Sequence, residues 1–210
     1  NSLTAQTPSI AELHVGDDPK AWVHLGFNIE DNRCRIGTTD VVFREGQPGI
    51  HAWALRGALP SSFGPIPTSY LDSPIPGLAS THPNSSRGLH HLVLMVPEFK
   101  QGRSALTQAG VVVSPGKVFG SADKKLLRST PMMGDFELEL IGPEKEDSSR
   151  RWDLWGLVIA VEDIDVTADL LGDLLGRVKP AIQPGRRIAT VSKSAGLGVA
   201  IAFLGPEDDL

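Results

Sequence analysis

Two octapeptides decide the fold: FELELIGP at residues 136–143 and VAIAFLGP at residues 199–206. Each has the length of a strand, and each ends on Gly-Pro. A motif that returns in one chain indicates a repeated supersecondary unit, and such a repeat determines the architecture before any single residue does.

Upstream of each octapeptide the same order of elements can be followed. An apolar run predicts a strand, a helix start follows at Pro97 or at Asp163, and a glycine at 110 or 176 ends the helix. Weaker strands then lead to the closing octapeptide, which gives a βαβββ module in both places. A shorter copy begins near residue 10 and closes with the strand at residues 50–55. The predicted organisation is a disordered leader at 1–9, a short βαβββ module at 10–57, a Pro/Ser/Gly-rich connection at 58–87, a second βαβββ module at 88–145 and a third at 152–206.

Composition excludes several classes of partner. The net charge of −5 over 210 residues is spread without a basic stripe, so neither nucleic acid nor an anionic membrane is an expected partner. No apolar run reaches the roughly 20 residues of a membrane span. Cys34 is alone, so no intrachain disulfide can form, and a reducing, cytoplasmic location is the simplest expectation.

The order strand, helix, three strands, with HLVLMVPE at residues 91–98 and ELIGP at 139–143, resembles the vicinal oxygen chelate superfamily. This superfamily includes glyoxalase I, extradiol dioxygenases and bleomycin-resistance proteins. The resemblance implies an α+β fold in which βαβββ modules pair into curved mixed sheets, with helices outside and a ligand cleft within. We expect modules two and three to pair, with the first beside them or across a homodimer interface.

Period-two alternation assigns side chains to the cleft. In the second module it places His91 and Met95 on the inner face of the first strand, and Glu137 and Glu139 on that of the last. Alignment of the third module on its Gly-Pro ending makes Gly156 the counterpart of His91 and Ala202 the counterpart of Glu139. Small side chains there predict a roomy, largely apolar pocket. The predicted ligand-contacting residues are Met95, Glu137, Gly156, Ala202 and Arg187.

In metal-dependent members of the superfamily the first strand supplies a His, Gln or Glu and the last strand a Glu. The resemblance therefore makes His91 and Glu139 the candidate metal ligands and catalytic residues, for one divalent ion among Fe, Mn, Ni and Zn. A third ligand is missing from its expected position, and the first module offers Glu12, His14 or His51. The alternative is that His91 and Glu139 form a hydrogen-bonded polar pair without metal.

Other polar residues have two interpretations each. Arg186 and Arg187 follow a Pro-Gly turn and either meet an anionic ligand or belong to a solvated hairpin, and Arg128 has the same two interpretations. His90 is expected on the outward face of its strand.

The resemblance favours a protein that binds a small organic molecule, with metal-dependent lyase, isomerase or dioxygenase chemistry as the first hypothesis. The alternative is a metal-free drug- or metabolite-binding protein of the bleomycin-resistance kind. A degenerate module that serves assembly is a third hypothesis.

Overall fold

The structure is a computed structural model that describes residues 7–77, 82–121 and 125–206. Most of the predicted leader, residues 1–6, lies outside the described residues, and Ser9 already belongs to the first strand. No helix in the described part of the chain is long and apolar enough to span a membrane.

The described residues form three α-helices, two short 3-10 helices and fourteen strands in two mixed sheets. The α-helices are α1 (Pro19–His24), α2 (Phe99–Gln108) and α3 (Ile164–Leu171), and the 3-10 helices are Gly172–Leu174 and Lys193–Ala195. The strands are β1 (Ser9–Val15), β2 (Arg33–Ile36), β3 (Thr39–Phe43), β4 (Ile50–Arg56), β5 (Thr68–Leu71), β6 (Ser86–Met95), β7 (Lys117–Phe119), β8 (Leu126–Ser129), β9 (Met132–Met133), β10 (Phe136–Pro143), β11 (Asp153–Val161), β12 (Lys179–Pro180), β13 (Arg186–Thr190) and β14 (Ala200–Pro206).

The second sheet unites the second and third modules. Its strand order is β12-β13-β14-β11-β6-β10-β8-β7, and β9 pairs with β10. The first strands of the two modules, β6 and β11, are antiparallel neighbours at the centre. In each module the last strand runs parallel to the first, and the register is the same: His91 pairs with Glu137 as Gly156 pairs with Ala200.

The Gly-Pro ending has a packing reason in both modules. A Cβ on Gly142 would lie 2.9 Å from the backbone nitrogen of Phe99, at the start of α2. A Cβ on Gly205 would lie 2.8 Å from the Cβ of Ile164, at the start of α3. Glycine therefore lets each closing strand approach the first turn of its own helix, closer than a side chain would allow.

The first sheet has the order β2-β3-β1-β4-β5 and corrects the expected role of residues 50–55. These residues lie in β4, which is antiparallel to β1, whereas the closing strands of the other modules are parallel to their first strands. Strand β3 takes the parallel position beside β1. The pair β1 and β4 thus resembles the central pair β6 and β11, and the segment 58–87 contributes strand β5, parallel to β4.

One hydrophobic core joins the two sheets. The ring of Phe27, which follows α1, stacks on Phe203 of β14 with centroids 6.0 Å apart. Asp17 adds a polar connection, because its buried carboxylate accepts hydrogen bonds from the Gly49 and Gly198 backbone nitrogens at 2.8 and 3.0 Å and from Trp22 Nε1 at 3.0 Å. The two sheets therefore pack as one body, and their other faces remain accessible.

Candidate functional site

The candidate site lies on the face of the second sheet that points away from the core, which we call the open face. Leu92 and Leu94 of β6 are fully buried on the core side, so the alternate residues His91, Val93 and Met95 lie on the open face. The open-face residues of the neighbouring strands are Glu137, Glu139 and Ile141 on β10, Gly156, Val158 and Ala160 on β11, and Ala200 and Ala202 on β14.

His91 and Glu139 contact each other directly. Nε2 of His91 donates to Oε2 of Glu139 at 3.1 Å, and the two side chains are only 14% and 15% exposed. Nη1 of Arg128 lies 3.7 Å from the other carboxylate oxygen. The hydrogen bond from His91 is the largest cause that holds the pKa of Glu139 below its usual value; burial opposes it, and the charge of Arg128 supports it. Glu139 is therefore an ionised carboxylate at neutral pH.

His90 belongs to this cluster, contrary to the prediction that it faces outward. The register between β6 and β11 shifts at this point, since Val158 pairs with His91 but Ile159 pairs with Leu89. The irregularity brings Nδ1 of His90 to 2.9 Å from Nδ1 of His91. In the tautomer that directs the Nε2 proton of His91 at Glu139, Nδ1 of His91 accepts from Nδ1 of His90, so the three side chains form one hydrogen-bonded row.

The environment of His90 favours the neutral imidazole. Burial is the largest cause that lowers the pKa of His90. The charges of His91 and Arg186 lower it further, while the carboxylate of Glu137 raises it. His90 is thus a neutral donor and acceptor at one end of the row.

The donor set does not fit a superfamily metal centre. A metal in this fold needs at least three protein ligands, and residues 7–77, 82–121 and 125–206 contain no group of three His, Cys, Asp or Glu side chains suited to an ion. The counterparts in the third module are Gly156 and Ala202, which have no ligating side chain. The suggested donors of the first module belong to the other sheet, where His14 and Glu12 contact each other at 2.7 Å.

The third module supplies an apolar half of the open face. Val158, Ala160, Ala200 and Ala202 are partly exposed, and none carries a polar side chain. Gly156 is required by packing, because a Cβ there would lie 2.6 Å from the Ala200 carbonyl oxygen. This half is therefore an apolar surface of small side chains, next to the row formed by His90, His91 and Glu139.

Of the predicted ligand-contacting residues, Met95, Glu137, Gly156 and Ala202 lie on the open face and Arg187 does not. Both terminal nitrogens of Arg187 donate to the Asp165 carboxylate, at 3.1 and 2.7 Å. Asp165 lies in the first turn of α3, which covers the core side of the sheet. The prediction that Arg187 contacts the ligand is therefore wrong. The preceding residue, Arg186, is the arginine whose charge acts on His90 at the open face.

A larger groove of about 680 Å³ lies beside the first sheet, outside the predicted site. Several of its charged side chains are paired: Arg35 makes two hydrogen bonds to Asp40, and Arg33 contacts Glu12 at 2.9 Å. His82 accepts from the Asn28 backbone nitrogen and donates to the Arg35 carbonyl oxygen. These contacts indicate a structural role for the groove residues.

Two of the solved structures to which this chain is similar match nearly its whole length. A mutant of 4-hydroxymandelate synthase from Streptomyces coelicolor is 13% identical with a TM-score of 0.65, over 96% of this chain and 93% of that one. A xylose isomerase-like TIM barrel/4-hydroxyphenylpyruvate dioxygenase fusion protein is 12% identical with a TM-score of 0.59, over 98% of this chain and 50% of that one. Methylmalonyl-CoA epimerase from Mycobacterium tuberculosis is 17% identical with a TM-score of 0.45, over 62% and 93%.

No protein-family model matches the sequence, and no curated protein matches it. At these identities the first two structures show the fold alone. They confirm the predicted α+β fold of βαβββ modules.

Proposed function

We propose that this chain, which has the fold of the vicinal oxygen chelate superfamily, binds a small organic molecule on the open face of the second sheet without a divalent metal. The observation that carries the proposal is the hydrogen bond between His91 and Glu139. The two side chains at the superfamily's ligand positions satisfy each other, and Arg128 stands beside the carboxylate.

Electrostatics favour the metal-free state. A divalent ion bound by Glu139 would replace the proton donated by His91 and would lie close to the guanidinium of Arg128, 3.7 Å from the same carboxylate. Repulsion between the ion and Arg128 would oppose binding, and only two protein ligands would compensate.

The two halves of the open face suit different parts of a ligand. The row of His90, His91 and Glu139 can donate and accept hydrogen bonds, and it is largely shielded from water. The neighbouring side chains of Val158, Ala200 and Ala202 can contact an apolar body. A largely apolar site with a few convergent polar groups is typical of small-molecule binding. The bleomycin-resistance type of function is therefore preferred to the metal-dependent lyase, isomerase or dioxygenase.

Metal analysis tests the choice between these two functions. Protein purified without chelator, and then incubated with Fe, Mn, Ni or Zn and desalted, should hold far less than one ion per chain. The variants His91→Ala and Glu139→Ala serve as controls. One ion per chain in the wild type, lost in both variants, would establish the metal-dependent function instead.

A thermal-shift screen of small organic molecules tests the location. A ligand that binds the folded state raises the melting temperature, and the rise grows with its concentration. We expect Ala202→Leu and His91→Ala to abolish the rise, because one fills the apolar half and the other removes the polar anchor. Ala52→Leu, a matched change on the first sheet, should leave the rise intact. A rise unaffected by both site variants would place the ligand elsewhere. The homodimer and the cytoplasmic location stay predictions.

A further inference from the structure

The open face continues beyond Glu139 into a cavity at the edge of the second sheet. This cavity has a volume of about 330 Å³, and its lining includes Lys117, Phe119, Arg128, Ser129 and Thr130. Its position follows from the order of the outer strands, in which β8 pairs with β10 and β7 pairs with β8 at the edge of the sheet.

Register places the cationic side chains on the same face as the proposed site. Arg128 pairs with Ile141 on β10, and Lys117 pairs with Arg128 across the β7–β8 hairpin. Because directly paired residues share a face of the sheet, Lys117, Arg128 and Ile141 all lie on the open face. Two cations therefore stand next to each other at the end of the row that begins with His90.

Arg128 is held in place but keeps donors available. Its guanidinium lies 5.3 Å from the centroid of the Phe119 ring, and Nη1 is 3.7 Å from Glu139. A guanidinium has five N–H donors in a planar fork, so these two contacts leave nitrogens that can bind an oxyanion. Stacking on Phe119 already restricts the Arg128 side chain, so this side chain loses less conformational entropy when a ligand binds it.

Two serines border the cavity on its inner side. Ser129 pairs with Leu140, whose side chain lies on the core side, and Ser129 Oγ is 2.7 Å from Ser114 Oγ, so these two hydroxyls bond to each other. The charged donors beside the cavity are Lys117 and Arg128, with Thr130 following at the end of β8. A lysine and an arginine at one cavity are the donor types that bind carboxylates and phosphates.

We propose that this cavity binds an oxyanion group, a carboxylate or a phosphate, of the ligand whose remainder lies on the open face. The inference rests on the proposed function for the rest of the ligand, and it narrows the ligand class to small organic anions. The guanidinium groups in the groove of the first sheet are more tightly paired than that of Arg128, whose Nη1 is 3.7 Å from Glu139. Arg35 makes two hydrogen bonds to Asp40, and Arg33 contacts both Glu12 and Asp40.

The test is a titration of the ¹⁵N-labelled full chain with inorganic phosphate, and separately with acetate, at pH 7 and constant ionic strength. We expect saturable amide shifts at Lys117, Ser129 and Thr130 with at least one of the two anions. Lys117→Ala and Arg128→Gln should each weaken the apparent affinity by about fivefold or more, since each removes a charge-assisted contact. Lys179→Ala changes the exposed lysine of β12 at the opposite edge of the sheet and should have no effect.

The response to each anion identifies the group: saturation by phosphate alone points to a phosphate, and saturation by acetate points to a carboxylate. Shifts that stay linear with both anions, or that are equal in wild type and both variants, would overturn the inference. Lys117→Glu, a reversal of charge at an exposed position, keeps the test valid if Arg128→Gln perturbs folding.

The anion titration and the ligand screen can fail separately, which distinguishes a failure of this inference from a failure of the proposed function. A saturable response together with a failed ligand screen would remove the organic ligand and leave the anion site. The reverse result would remove only the anion site.

Discussion

The two halves of the second sheet have the same backbone but different open faces. Both modules pair their first and last strands in parallel with the same register, and both end on a Gly-Pro pair next to a helix start. Yet the second module presents His91 and Glu139 where the third presents Gly156 and Ala202. The buried side of the sheet and the glycine contacts with the helices are common to both modules, whereas the side chains of the open face differ.

The first sheet departs further from the repeat. There the polar residues of the accessible face are present, but Glu12, His14, Arg33 and Asp40 are paired with one another. In the second sheet, the polar side chains of the second module lie next to the apolar surface of the third module. Neither the first sheet nor the third module alone provides this combination.

The largest effect is expected from Gly156→Ala. If Gly156 merely lacks the function of its counterpart His91, an alanine there should be harmless. The contact of 2.6 Å between its Cβ and the Ala200 carbonyl oxygen predicts instead a loss of about 2 kcal/mol in the free energy of unfolding. Urea denaturation measures this loss.

The matched control for that substitution is Gly77→Ala. A Cβ on Gly77 has nothing within 4 Å, so we expect a change within about 0.5 kcal/mol. Equal stabilities of the two variants would show that Gly156 has no packing role and that only chemistry distinguishes the modules.

A smaller effect is expected from pH, because the contribution of Glu139 to the free energy of unfolding depends on its ionisation. The folded pKa of Glu139 lies below its unfolded value of about 4.3, so ionised Glu139 stabilises the fold above that pH and the contribution is lost as pH falls through the folded pKa. The stability difference between wild type and Glu139→Gln should therefore be larger at pH 6 than at pH 3.

The His91→Ala background is the control for this pH effect, because the hydrogen bond from His91 is the largest cause of the lowered pKa. Urea unfolding at both pH values compares the single variant His91→Ala with the double variant that also carries Glu139→Gln. In this pair the dependence of the stability difference on pH should shrink. A dependence that stays the same would mean that His91 does not stabilise the carboxylate.

The smallest effect is expected from Arg187→Ala. The ion pair with Asp165, which is one of the interactions of Arg187, is partly solvated and lies on the helix side, so its loss should lower the free energy of unfolding only slightly, and by less with added salt. The ligand-induced rise in melting temperature should not change. A lost rise would restore Arg187 to the ligand site and would weaken the distinction between the two faces.

The repeated order of elements, together with the family resemblance that it supports, was sufficient to predict the fold, and period-two alternation predicted the shared face of His91 and Glu139. Both residues lie in regular stretches of strand, where the side-chain direction follows from position alone. The alternation could not place His90, because a register shift between β6 and β11 changes the direction locally. It could not separate Arg186 from Arg187 either, since the register after a turn decides which of two neighbours faces the ligand.

The role of β4 was also beyond the sequence. Residues 50–55 predict a strand correctly, but whether it pairs parallel or antiparallel to β1 depends on contacts with distant segments. The first module was therefore predicted with the wrong closing strand. A local pattern specifies the element, and only the assembled sheet specifies its neighbour.

The Asp17 carboxylate joins segments that are far apart in the sequence, which affects the order in which the chain folds. This carboxylate needs the backbone nitrogen of Gly198, 181 positions later in the chain. Gly49 N and Trp22 Nε1 supply local donors to this carboxylate, but its full set of hydrogen bonds requires the segment just before β14 to be in place. Because this contact is distant in sequence, we expect the complete hydrogen bonding of Asp17 to form late in folding.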